Sequence, residues 1–421
     1  MAHTVLDPMS IQAVGERIQD RSTGETLAFL QPNEGARLAT PWSVALVRAR
    51  HLADHLPTAE GWIVDPACGT GIQLAAHGVV TRQPVLGIER DPDRARAAAI
   101  NLRTAAAGRG MEDESWLARS RILIGDGRAA DEVMARMEGD VASLILDPAR
   151  PRDSRQHALE EMEPGLESIL SAWIPWFGQV PTAMIDLSPR LGSAQRAEAE
   201  EIVDRLLPKV ARTWLWTSRG GGRVDRLMLL LGSTSVPGVQ DRYERLPRDP
   251  SEPPFHLDRT CPSLQPQGGS GKPRSGHHVT ILDAAFVESG LAWSWVEEHI
   301  EGANWAQQNG RRPMIVHPKP LPEGSRGVSV ATGRVMDLLH VDLTSEGGFQ
   351  QIVEVARRRG VRRLTLRMAL DPSLQPRLQS RFDRALHHNE GGRDAFLTQA
   401  EEDQMMVLCV AESHPTHQDL L

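Results

Sequence analysis

Four acids close short apolar runs in the first half of the chain: Asp65, Glu89, Asp126 and Asp147. Around the first, Gly61-Trp-Ile-Val-Asp65 runs straight into Pro66, Ala67, Cys68, Gly69, Thr70 and Gly71, after which a helical pattern opens near Ile72. Glycines at such a point let the backbone turn tightly and let a ligand approach with no Cβ in the way. Glu89 follows Gly71 by 18 residues, close to the spacing at which a carboxylate meets the two ribose hydroxyls of a bound nucleoside. Asp126, with Gly127 behind it, is placed to accept from an adenine amino group.

Dinucleotides and S-adenosyl-L-methionine share this geometry, and the acid before the glycines separates them. A pyrophosphate wants a bare helix N-terminus and would be repelled by Asp65. A sulfonium and an α-ammonium group would both be attracted. The cofactor expected is S-adenosyl-L-methionine, held by Asp65, Pro66, Ala67, Cys68, Gly69, Gly71, Glu89, Asp126, Gly127 and Asp147. The fourth acid, Asp147, closes the fourth apolar run and leads Pro148-Ala149-Arg150-Pro151-Arg152. Arg150 and Arg152 have the fork geometry to hold a phosphate bidentately.

These side chains need a scaffold, and the periodicity describes one. Apolar runs at residues 62–65, 85–89, 121–126, 142–147, 182–187, 213–217 and 226–231 read as seven buried strands. Helical patterns such as residues 93–107 separate them, so residues 40–232 form a doubly wound α/β sheet. Residues 1–39 read as a helical lead-in, and residues 233–278, rich in Pro, Gly, Ser and charge, as a linker. Residues 279–421 carry mixed signals: helices at 284–300 and 350–359, strands at 361–368 and 404–410. They read as a smaller C-terminal α+β domain.

The 421 residues are 40% hydrophobic and 24% charged, an ordinary globular composition that excludes collagen-like, coiled-coil and mainly disordered chains. No apolar run approaches the roughly 20 residues of a membrane span, so no membrane partner is expected and the location expected is cytoplasmic. The three cysteines are far apart and lack a C-x-x-C pair, which supports neither a disulfide framework nor a metal site. A net charge of −8 argues against indiscriminate coating of nucleic acid. One segment departs from that average: residues 355–367 hold Arg357, Arg358, Arg359, Arg362, Arg363 and Arg367 with no acid. The segment reads as an RNA contact or as a helix cap.

The turn D-P-A-C-G-T-G and the seven runs, the last two forming a hairpin, resemble the class I S-adenosylmethionine-dependent methyltransferases. The segments Ala39-Thr40-Pro41, Asp147-Pro-Ala-Arg150, Asp186-Leu-Ser188-Pro189, Ile281-Leu-Asp283-Ala284-Ala285 and Arg359-Gly360-Val361 look like a narrower group that carries a C-terminal THUMP-like domain. The resemblance implies a seven-stranded Rossmann-like methyltransferase sheet and methyl transfer to RNA, rRNA or tRNA. The C-terminal domain would assist substrate binding, with Asp147 catalytic and with Arg150, Arg152, Arg357, Arg358, Arg359, Arg362 and Arg363 on the substrate. Methyltransferases of exocyclic amino groups place an aromatic ring after the prolines of the fourth strand, and Ala149 and Arg150 stand there instead. A DNA or protein methyltransferase, and a non-catalytic RNA-binding protein that keeps the fold, are the competing readings. The intact Asp65, Glu89 and Asp147 set speaks against the last.

Overall fold

The computed structural model describes residues 3–12, 17–19, 27–31, 40–56, 61–108, 115–148, 158–178, 180–222, 224–247, 249, 252–259, 271–308, 312–387, 391–400 and 405–412. The chain divides into two compact units: Met1–Leu215 with Arg226–Arg242 and Leu246–Pro254, and Trp216–Asp225 with Tyr243–Arg245 and Phe255–Leu421.

The first unit opens with three short strands, β1 (Thr4–Leu6), β2 (Arg17–Gln19) and β3 (Ala28–Leu30). Strands and helices then alternate: α1 (Trp42–His55), β4 (Trp62–Asp65), α2 (Ile72–Thr81), β5 (Val85–Glu89), α3 (Pro92–Ala107), α4 (Ser115–Arg119) and β6 (Arg121–Ile124). The alternation continues through α5 (Ala130–Met134), β7 (Val141–Leu146), α6 (Leu166–Trp173), β8 (Ala183–Leu187), α7 (Ser193–Leu206), β9 (Arg212–Ser218) and β10 (Arg226–Leu231), with residues 216–218 of β9 counted in the second unit, as are residues 243–245 of β11 (Asp241–Arg245). Eight strands of a ten-stranded sheet run in the order β1-β6-β5-β4-β7-β8-β10-β9. The pairs β5·β6, β4·β5, β4·β7 and β7·β8 are parallel, whereas β10 lies antiparallel to β8.

Two expectations are corrected here. The described part of the lead-in is strand rather than helix, and β1 adds an antiparallel edge to β6 beyond the seven strands expected, pairing Thr4, Val5 and Leu6 with Ile124, Leu123 and Ile122. The expected linker holds β11 and β12 (Phe255–Arg259), so part of it is ordered sheet. In β11 the one tyrosine of the chain, Tyr243, is fully buried and donates its hydroxyl to the Gly327 carbonyl at 2.7 Å.

The sheet's strands carry continuous apolar runs because helices cover them. Ile63, Leu74, Ala75, Val85, Leu102 and Ile122 pack in one buried cluster with Trp42, whose ring lies 5.2 Å from that of Phe29 just before it in the chain's leading segment. Two histidines are caught in this unit. His77 on α2 is fully buried with neither ring nitrogen hydrogen-bonded, and burial, then Arg48, lowers its pKa to about 3. His51 on α1 is lowered to about 4, chiefly by burial.

Both histidines bind more protons unfolded than folded between their folded values and the unfolded value near 6.5. Stability is therefore expected to fall as pH drops through that window, by about 1.4 kcal/mol per pH unit for each. His77→Leu should remove its share, so the urea midpoint of the variant should gain on wild type on going from pH 7 to pH 5. An unchanged difference would show His77 to be protonated, or hydrated, in the folded state.

The second unit contains β13 (His278–Leu282), α8 (Ala284–Glu288), α9 (Ala292–His299), β14 (Asn304–Gln307), β15 (Met314–His317), β16 (Ser329–Leu339), α10 (Glu346–Arg358), β17 (Val361–Leu366), α11 (Gln375–Leu386), β18 (Arg393–Ala400) and β19 (Met405–Ala411). Its seven strands run β14-β15-β13-β16-β19-β18-β17. Only β17 and β18 pair in parallel among the described ladders of this sheet, and α11 supplies the crossover such a pair requires. Phe349, Ile352 and Val353 of α10 and Phe382 of α11 pack with Leu364, Leu366 and Leu397. The single helix expected over residues 284–300 is two, because Gly290 takes φ +77° and breaks the run.

Candidate active site

The parallel register aligns the carboxyl ends of β4, β5 and β6, with Asp65 beside Gly87 and Glu89 beside Ile124. Ligands of open α/β sheets bind at such an edge. Beyond β4 the chain turns through Gly69 (φ +54°) and Gly71 (φ +69°), left-handed conformations that favour glycine. Cys68 ties the turn to the next strand by donating its amide to Ile88 O at 3.0 Å. A Cβ on Gly71 would stand 2.8 Å from that of Ala98 on α3, and one on Gly127 only 1.9 Å from the Pro66 carbonyl oxygen, whereas Gly69 faces open space. The loop after β6 thus approaches the loop after β4 as closely as a glycine permits, and Gly71 lets the turn lie against α3.

Asp65 is buried and accepts the Ala67 amide at 3.0 Å. Burial pushes its carboxyl well above the usual range, and the charges of Asp147, Glu89 and Asp186 push in the same direction. A bound cation would relieve this convergence of acids, and a pyrophosphate would worsen it. Glu89 uses Oε1 to accept the Asp91 amide at 2.9 Å, and Asp91 in turn caps α3 through the amides of Asp93 and Arg94. Burial pushes the Cys68 thiol well up, which removes it as a nucleophile.

Asp126, the expected adenine acceptor, is paired with two arginines in this structure. Arg128 takes both its oxygens, Arg90 takes Oδ2 at 2.9 Å, and this pairing, led by Arg128, holds its carboxyl well below the usual range. Arg90 also reaches Glu163 at 2.9 Å, so Asp126 belongs to an ion-pair network at the mouth of the turn. Arg150 and Arg152 lie outside the described residues.

The arginines of the second unit divide by partner. Arg357 donates to Ala385 O at 2.8 Å near the end of α11, Arg359 pairs with Asp337 at 2.6 Å, and Arg362 with Asp394 at 2.9 Å. These three hold the fold at its surface. Arg358 and Arg363 are exposed and form no ion pair among the described residues.

Several residues that shape the site carried no chemical motif. Asn101, buried in α3, donates to Thr70 O at 2.8 Å and exchanges two bonds with the backbone of Leu30, at 2.7 and 2.9 Å. Trp173 donates its indole N–H to Gly127 O at 2.8 Å. Arg48 of α1, buried, donates to Asp186 and, at 2.8 Å, to Gln73. Burial pushes Asp186 up and the Arg48 guanidinium pulls it back. Arg48 alone had a readable signal, being an arginine on the apolar face of α1 that also carries Leu52 and Ala45.

No protein-family model and no curated protein matches the sequence. Among solved structures, a SAM-dependent methyltransferase from Agrobacterium tumefaciens is 14% identical, with 52% of this chain and 70% of that one covered at a TM-score of 0.37. A putative rRNA-methylase from Clostridium thermocellum is 12% identical over 46% of this chain and 99% of that one, with a TM-score of 0.30. TrmN from Thermus thermophilus is 20% identical over 45% and 46% of the two chains, with a TM-score of 0.27. Among the described residues no helix is long and apolar enough to cross a membrane, and no group of three or more His, Cys, Asp or Glu is placed to hold a metal ion.

Proposed function

We propose that this protein is an S-adenosyl-L-methionine-dependent methyltransferase acting on RNA, with its second, THUMP-like part assisting substrate binding. The observation that carries the reading is the buried Asp65 leading into the left-handed Gly69–Gly71 turn, with Glu89 and Asp147 near enough to act on its carboxyl. That donor set fits a cationic, ribose-bearing cofactor, which would supply an electrophilic methyl group. Asp65 and the turn would bind its amino-acid end, and Glu89 its ribose. Asp147, one residue beyond β7, would orient the acceptor, which makes positioning the main source of rate. Asp126, held at the start of the loop after β6 by Arg90 and Arg128, would accept from the adenine amino group.

Exposed Arg358 and Arg363 in a chain of net charge −8 support a phosphate-bearing acceptor over a protein, and RNA rather than DNA is supported by the resemblance carried by Asp147-Pro-Ala-Arg150. Tritiated methyl transfer to RNA, DNA and protein fractions, followed by nucleoside analysis, decides the acceptor. Label appearing only in DNA or protein would overturn the RNA assignment.

Calorimetry tests the cofactor. S-adenosylhomocysteine is expected to bind, NAD is not, and Glu89→Ala should weaken binding by about 1.5–3 kcal/mol through lost charge-assisted hydrogen bonds. Tight NAD binding would remove the assignment altogether.

A further inference from the structure

Thr40, immediately before Pro41 and α1, stands between two groups far from it in the chain. Its Oγ1 lies 3.3 Å from Asp147 Oδ2 and 3.2 Å from Arg226 Nη2 at the start of β10. The directions of these bonds are forced. A guanidinium has only donors, so the threonine oxygen must accept from Arg226. The single hydroxyl proton is then left for Asp147, whose Oδ2 accepts it. No hydrogen bond to Oδ1 of Asp147 is made among the described residues.

We propose that Thr40 and Arg226 are positioning residues for Asp147, locking one carboxylate oxygen and presenting the other to the methyl acceptor. The inference rests on the methyltransferase reading given above and adds to it the device that orients the acceptor-side carboxylate. Polarisation runs one way along the chain of donors: the cation strengthens the hydroxyl as a donor, and the hydroxyl grips the carboxylate. Arg226 also answers an electrostatic need. Asp147 and Asp186 repel each other, and Arg226 acts on Asp186 in the opposite sense. A single guanidinium thereby steadies two neighbouring acids. A Thr–carboxylate bond of this kind restricts rotation about the last side-chain torsion of Asp147, which is otherwise broad.

The test compares Thr40→Val, nearly isosteric but without the hydroxyl, with Thr40→Ser, which keeps it. T40V is expected to lower kcat for methyl transfer at least tenfold, with S-adenosylhomocysteine affinity within about threefold of wild type, and T40S to recover most of the loss. A merely structural role would not be rescued by serine's hydroxyl alone with cofactor affinity unchanged throughout. Proton exchange at the Arg226 guanidinium, followed by ¹⁵N NMR, should quicken in T40V and not in T40S. Should T40V fail to fold, Arg226→Gln, which can still donate to Thr40 but carries no charge, is expected to give a kcat between wild type and background. Wild-type kcat in T40V, or in R226Q where T40V fails to fold, would overturn the inference alone. No methyl transfer by the wild type to any acceptor, together with no S-adenosylhomocysteine binding, would overturn the methyltransferase reading and the inference with it.

Discussion

Asp147→Ala is expected to cut methyl transfer by about a hundredfold or more while leaving cofactor affinity within a few-fold. The asymmetry follows from where the residue stands. Asp65 and Glu89 flank the glycine turn directly, whereas Asp147 ends a different strand and is tied to Thr40 rather than to the turn. Removing its carboxylate takes away the group that orients or accepts from the attacking atom, and a hundredfold corresponds to about 2.7 kcal/mol of barrier. The alanine also relieves the repulsion that Asp147 exerts on Asp65 and Asp186. Single-turnover transfer and calorimetry on the same preparation check this. Loss of both quantities in equal measure would make Asp147 a cofactor-binding or folding residue instead.

The largest stability effect is expected at Arg48. Both ends of the Arg48–Asp186 pair are almost wholly withdrawn from water, with side-chain exposures of 5% and 3%. Arg48→Met would leave Asp186 buried beside Asp147 with its principal counter-charge gone. Breaking a buried pair from one side costs about 3–5 kcal/mol, far more than such a pair contributes relative to a well-packed apolar replacement. The double variant Arg48→Met, Asp186→Leu should therefore recover much of the loss. Urea unfolding of the three proteins gives the comparison. A single variant within 1 kcal/mol of wild type would mean that water or Gln73 satisfies Asp186, and a double variant as weak as the single would assign the cost to packing.

The parts of the fold legible in the sequence are those decided locally. The strand bounds Trp62–Asp65, Val85–Glu89 and Arg226–Leu231 follow from apolar runs halted by an acid, a turn residue or glycine. Strand β1 has only three residues, too few to show a period, and exists because β6 offers it an edge more than a hundred residues away. Strand β11 reads Asp-Arg-Tyr-Glu-Arg, polar by composition, and only its pairing in the sheet reveals it as strand. At the site the division is the same. Glycines and strand-end acids announce themselves by type and spacing, but Thr40 gains its role from partners 107 and 186 residues distant. Asp126 is legible by type and place, whereas its pairing with Arg90 and Arg128 is not, because no spacing rule discloses where those arginines aim.

The bonds of Asn101 bear on where this protein could be cut. An alternation of strands and helices recommends a fragment beginning at Thr40, the first residue of the repeating pattern. Such a fragment would strip Asn101 of both its bonds to Leu30, leaving a primary amide in the middle of α3 with Thr70 as its one remaining partner. It would also take Phe29 from the face of Trp42 and bare the edge of β6, the kind of unpaired strand that invites self-association. Phe29 and Leu30 thus splint the glycine turn through Asn101 and Trp42, and a fragment that keeps the turn braced has to include them.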